Sequence, residues 1–131
     1  MAIEVRVPAR GFVHVRPTTP LDLEQAKEML HGAAEASREN DAVALVLDMR
    51  SVAPLLGIGG LWHLAGEMAE CASGFRHRTA VLTTPERLDH AEFFALSCQN
   101  RGFAVHAFTD YAAAMSWLGE SLSGAAPGRP M

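Results

Sequence analysis

Val43-Ala44-Leu45-Val46-Leu47-Asp48 is the stretch that decides the fold. Five apolar residues run without alternation and an aspartate closes them. That pattern belongs to a strand buried on both faces, as at the centre of a parallel or mixed sheet. Parallel neighbours need crossover connections, usually helices, so the segments on either side are read with that requirement in mind.

Upstream, Ile3, Val5 and Val7 alternate with Glu4 and Arg6, the period-two signature of a strand with one covered face. Pro8-Ala9-Arg10-Gly11 carries turn chemistry, and Phe12-Val13-His14-Val15 resumes the extended pattern, which predicts a hairpin. Thr19-Pro20 offers an N-cap followed by proline at the first helical position. Leu23, Ala26, Leu30, Ala33 and Ser37 then recur at helical spacing to about Arg38.

Downstream, Leu61, Leu64, Ala65, Met68 and Ala72 form the stripe of a second helix, with His63, Glu67 and Glu70 on its far side. Thr79-Ala80-Val81-Leu82 is a further strand. Thr84-Pro85 repeats the cap-and-proline start, Leu88, Ala91, Ala95 and Cys98 line a third helix, and Gly102 stops it. Phe103 to Phe108 is the last strand. Asp110 caps a final helix with the stripe Tyr111, Ala114, Met115 and Leu118. The order ββαβαβαβα predicts an α/β sandwich: a mixed, mostly parallel five-stranded sheet with one antiparallel strand and four helices.

A chain of 131 residues makes one domain with a single core of sufficient size. That domain is expected over 1–120. Ser121 to Met131 has too few large apolar groups to offset the entropy of ordering it, and reads as a flexible tail. The 49% hydrophobic and 20% charged content excludes a disordered chain, and a net charge of -4 disfavours nucleic acid or anionic lipid as a mainly electrostatic partner. No apolar run approaches the ~20 residues of a membrane span. The opening Met-Ala-Ile-Glu-Val-Arg lacks the basic start and apolar stretch of a secretory signal, so a cytoplasmic location without integral membrane association is expected. Cys71 and Cys98 are expected to be reduced.

The succession of elements carries a family likeness. Together with Ala44-Leu45-Val46-Leu47-Asp48-Met49-Arg50-Ser51-Val52, Arg78-Thr79-Ala80-Val81-Leu82, and Val105-His106-Ala107-Phe108 leading to Ala114-Met115-Ser116-Trp117-Leu118, it resembles the SpoIIAA-like (STAS-like) domain family over nearly the whole folded part. The resemblance implies the STAS-like sandwich and, in function, a regulatory interaction module such as an anti-sigma factor antagonist. The wider SpoIIAA-like group is also linked to lipids and other small ligands. The phosphorylated antagonists carry Asp-Ser-Ser-Gly-Leu-Gly after the central strand, with the acceptor serine at the start of the second helix. Counting from Asp48, the corresponding positions here are Leu56, Gly57, Ile58, Gly59 and Gly60, and none bears a hydroxyl. Ser51 lies several residues upstream and is a poor substitute by position.

The remaining chemistry is sparse. Gly57-Ile58-Gly59-Gly60 lies between strand and helix, where backbone N–H groups and the helix dipole can hold an anion, or where glycines simply turn the chain and let helix and sheet approach. No Gly-Lys-Ser/Thr follows, so it is not a Walker A loop. His63 and Glu67, four apart, make half of a helical metal site, and a solvated surface pair is the simpler reading. Cys98 falls on a buried stripe with His90 rotated off it, which favours a packed core thiol over a nucleophile. Phe75-Arg76-His77-Arg78 is a short basic run that reads as a solvated loop or, with Arg50, as a local positive patch.

These residues predict no catalytic constellation, no metal and no cofactor. The leading expectation is a non-enzymatic module that contacts a protein partner, or a second copy of itself, through Arg50, Ser51, Gly57, Gly59, Gly60, Trp62 and His63. Trp62, about 100° from Leu61 on the wheel, is expected at the flank of its helix. The rival expectation is a carrier or sensor of a lipid or small acidic ligand, in a pocket lined by Leu55, Leu56, Trp62, Met68 and Phe93.

Overall fold

The computed structural model describes residues 3–52 and 56–124, the last four by their backbone alone. Five strands and four helices follow the order expected from the sequence: β1 (Ile3–Ala9), β2 (Phe12–Pro17), α1 (Leu23–Glu39), β3 (Ala44–Asp48), α2 (Ile58–Glu70), β4 (Arg78–Leu82), α3 (Leu88–Gln99), β5 (Val105–Phe108) and α4 (Tyr111–Gly124). Single 3-10 turns at Ala72–Gly74 and Pro85–Arg87 lead into β4 and α3.

The sheet order is β1-β2-β3-β4-β5, with β1 antiparallel to β2 and the other pairs parallel. The strands therefore advance across the sheet in one direction without reversing. Right-handed crossovers then place α1, α2 and α3 on one face, and α4, following the last strand, closes the other. Side chains divide accordingly. Leu45 and Leu47 join Val13, Val15 and Val81 in the core beneath α1–α3, whereas Ala44 and Val46 join Ala80 and Leu82 against Ala114 and Leu118 of α4. β3 is buried along its whole length, as its unbroken apolar run predicts. A sheet that never reverses has no topological switch point, so it lacks the crevice where doubly wound folds hold dinucleotides.

Several local expectations are corrected. Helix α1 is capped by Asp22 rather than Thr19: the Asp22 carboxylate accepts from Gln25 N at 2.9 Å, and the Gln25 side chain accepts from Asp22 N at 3.0 Å. This reciprocal box satisfies two otherwise unpaired donors, and Pro20 falls in the lead-in. Val5 and Val7 are 43% and 44% exposed, because β1 is an edge strand and only Ile3 reaches the core. Val43 is also exposed and precedes the central strand. Tyr111 is exposed at the start of α4, whose buried positions up to Glu120 are Ala114 and Leu118. Helix α4 continues past Glu120 to Gly124, since Ser-Leu-Ser holds no breaker; residues 125–131 of the expected tail lie outside the described residues.

Candidate functional site

The parallel strands point their C-terminal ends at the turn after β3 and the start of α2, and the expected site residues fall there. Asp48 ends β3 on the α4 side of the sheet, with its side chain 5% exposed. A buried carboxylate must be paired. Arg50 donates from Nε to one oxygen and from Nη2 to the other, both at 2.9 Å, and its backbone N–H adds a bond of 3.2 Å. His14 Nε2 stands 3.3 Å from Oδ2. Burial pushes the Asp48 carboxyl up, but the Arg50 hydrogen bonds and charge, with His14, outweigh it and hold the group below its ordinary range. Arg50 also lies over the Tyr111 ring, 5.7 Å from its centroid. Its charge is thus committed to Asp48. Ser51 is exposed in the following turn and accepts from Arg16 Nη1 at 3.4 Å.

The glycine segment and Trp62 lie in the other layer, with α1–α3. Gly57 is the N-cap of α2, at φ -86° with no side-chain cap, and a Cβ added at Gly57 or at Gly59 would meet nothing within 4 Å. The glycines therefore serve neither a left-handed turn nor a close approach to the sheet; only at Gly60 would an added Cβ be packed, 3.3 Å from Leu56. They leave the first turn of α2 bare. Trp62 projects from the next turn, 51% exposed, and Ile58, one helical turn before it on the same face, is 48% exposed. Arg101 lies over the indole at 5.1 Å, and His63 meets its edge at 5.5 Å.

Between α1, α2, α3 and the ends of β3 and β4 lies an apolar cavity of about 70 Å³, with Met29, Leu30, Leu56, Leu64 and Phe94 among its walls. Thr83, Arg87 and His90 supply polar groups to its lining, and Arg87 Nη1 donates to Val52 O. Among the described residues expected to line it from sequence, only Leu56 does. Trp62 is half exposed, Met68 is buried in the core outside the lining, Phe93 packs against the core, and Leu55 lies outside the described residues. Nothing in the sequence marks Arg87 and His90 as cavity residues, because the cavity is assembled from three helices whose spacing in the chain does not announce it.

No family model and no curated protein sequence matches the chain. Among solved structures, the anti-sigma factor antagonist SpoIIAA in its unphosphorylated form superposes with a TM-score of 0.57 at 15% identity, covering 90% of this chain and 97% of that one. The phosphorylated form of the Bacillus cell fate determinant SpoIIAA superposes with a TM-score of 0.50 at 16% identity, covering 88% and 99%. The fold is that of SpoIIAA.

On this SpoIIAA-like frame the other polar candidates disperse. Glu67 pairs with His31 of α1 at 2.6 Å rather than with His63, so the expected i,i+4 pair is replaced by a bridge between helices. No group of three metal-ligating side chains occurs among the described residues. Cys98 is buried, with its sulfur 3.4 Å from Met68 Sδ, and burial pushes its thiol up to about 12, far from a nucleophile's range. The basic run does not join Arg50. Arg78 pairs across the sheet with Ala44, at the opposite end of β3, and spends its guanidinium on Trp117 O at 2.7 Å, Glu120 at 3.2 Å and the Trp117 ring. Burial lowers the pKa of His77, which stays neutral at pH 7. Among the described residues no helix is long and apolar enough to cross a membrane.

Proposed function

We propose that this chain is a non-enzymatic regulatory module that binds a protein partner through the segment from Arg50 to Gly60 and the first two turns of α2. The observation that carries the reading is the ridge formed by Ile58 and Trp62, two large apolar side chains about half exposed on one helix face. An isolated exposed apolar residue needs no explanation, but an aligned pair rimmed by Arg101 and His63 has the apolar centre and polar rim of a contact surface. Tryptophan is also among the residue types most enriched in binding hot spots. The likeness to SpoIIAA, an anti-sigma factor antagonist, supports a partner of protein class.

Regulation here works without the serine phosphoswitch, since Leu56 to Gly60 offer no hydroxyl. The module is tested by quantitative capture from lysate of the source cells on immobilised wild type, Ile58→Glu and Trp62→Ala. A partner held by wild type and lost by both variants, each melting like wild type, is the expected result. Identical captured proteins on all three would overturn it.

The apolar cavity favours a second reading, a carrier or sensor of a small acid whose carboxylate would meet Arg87 or His90. Its volume of about 70 Å³ ranks this reading below the first, because ligand pockets commonly span ~300–1,000 Å³. A short-chain acid fits such a space better than a lipid. Native mass spectrometry separates the two: a retained small molecule supports the carrier, and protein free of ligand supports the module.

A further inference from the structure

The edge strand β1 combines three features that point to one occupant. Among the described residues nothing pairs with its outer edge, since β2 takes the other side and the sheet ends there. Its two valines, Val5 and Val7, are 43% and 44% exposed, and Val5 shares the face of Ile3, which packs under α1, but lies beyond the reach of that helix. Its opposite face carries one acid and one base two residues apart, Glu4 and Arg6. Free edges are usually guarded by proline, bulges or charge. Here Pro8 and the irregularity between Arg6 and Ala9 guard only the hairpin end, and the segment from Ile3 to Arg6 pairs with β2 in regular register.

We propose that β1 pairs antiparallel with β1 of a second copy of this chain, joining two five-stranded sheets into one continuous sheet. The register follows from charge. With Val5 facing Val5 across a two-fold axis, Glu4 of each copy faces Arg6 of the other. Moving the two-fold axis one residue toward the C-terminus sets Arg6 against Arg6, and moving it one toward the N-terminus sets Glu4 against Glu4. Directly opposed like charges are destabilising and opposed unlike charges stabilise a pair. Of these three registers, only the first is complementary to itself. It also covers the exposed Val5 on the α1 side and continues the row of charges in which Glu4 already holds Arg16 at 2.7 Å. This contact is independent of the Ile58–Trp62 ridge, which lies on α2.

The test is sedimentation velocity at low ionic strength with Glu4→Arg, Arg6→Glu and Val5→Asp. Wild type is expected to dimerise. Glu4→Arg alone opposes arginines and Arg6→Glu alone opposes glutamates, so each should raise the dimer dissociation constant by about tenfold or more. An equal mixture of the two should recover a heterodimer, because every opposed pair is then unlike. Val5→Asp, at an exposed position that leaves the monomer intact, should be monomeric and serves if Glu4→Arg fails to fold after losing Arg16. Wild type that stays monomeric at millimolar concentration, a dimer indifferent to Arg6→Glu and Val5→Asp, or a mixture of folded Glu4→Arg and Arg6→Glu that recovers nothing would each overturn the proposal.

Discussion

Removing the Asp48 carboxylate tests the electrostatics of the site most directly. Asp48 is buried and receives two guanidinium bonds at 2.9 Å, a backbone bond at 3.2 Å and His14 at 3.3 Å. Bonds to charged groups contribute about 1.5–3 kcal/mol each when counted separately, but burying the carboxylate costs several kcal/mol, and the two largely offset. Arg50 is 41% exposed and can turn into water, so Asp48→Ala strands no buried cation. A net loss of about 2 kcal/mol is expected, with about 1 kcal/mol of it as coupling to Arg50 in the double-mutant cycle with Arg50→Ala. The folded carboxyl titrates below its ordinary 3.8, so this stabilisation is present above pH 3.8 and is lost as pH falls through the folded value. Urea denaturation of the four proteins, at pH 7 and at successively lower pH, measures both. Coupling within about 0.3 kcal/mol of zero at pH 7, or coupling that grows on acidification, would refute the reasoning.

Three further outcomes follow from the packing. Trp62→Ala should cost no more than about 1 kcal/mol in thermal or urea melts, since it removes an exposed cation–π contact and adds a better helix former; a loss of about 3 kcal/mol would place the indole in the core. Gly74→Ala should destabilise by about 2 kcal/mol or more, because the added carbon would stand 2.4 Å from Ala34 Cβ and force α1 off the 3-10 turn; melting unchanged from wild type would refute that close approach. The Cys98 thiol should resist thiol reagents in the folded state and react on denaturation, and rapid native labelling would contradict its burial.

The central strand is legible in the sequence because burial on both faces leaves only one pattern, an unbroken apolar run, and β3 has it. The edge strand is only half legible. Alternation in β1 shows that its faces differ, yet whether anything covers the apolar face depends on how far α1 reaches, and α1 stops at Ile3. The start of α1 is ambiguous for a related reason. Thr19-Pro20 and Asp22-Leu23-Glu24-Gln25 both carry start chemistry, and the second prevails because Asp22 and Gln25 satisfy each other's backbone donors. Trp62 is readable from a helical wheel, which needs no partner. The His31–Glu67 bridge and the cavity lined by Arg87 and His90 are not, since each depends on helices meeting that are distant in sequence.

The sheet separates the expected site residues into two groups. Alternation along β3 sends Asp48 to the α4 side, and Arg50 follows it to Asp48 and Tyr111. Helix α2 lies in the opposite layer, where it presents Ile58 and Trp62. Residues close in the sequence thus end on opposite faces of a sheet whose core is close-packed. Arg50 bonds Asp48 and lies over Tyr111, whereas Trp62 meets His63 and Arg101, so with no shared partner among these their effects on stability should add, within the ~0.3–0.5 kcal/mol usual for independent sites. Since the proposed surface includes both residues, Arg50→Ala and Trp62→Ala should each weaken binding of the partner, and the double variant should lose the sum of the two in binding free energy while remaining additive in urea melts. Non-additivity in the melts would mean that the sheet transmits strain between its two layers, so that Arg50 and Trp62 are not independent in the folded state.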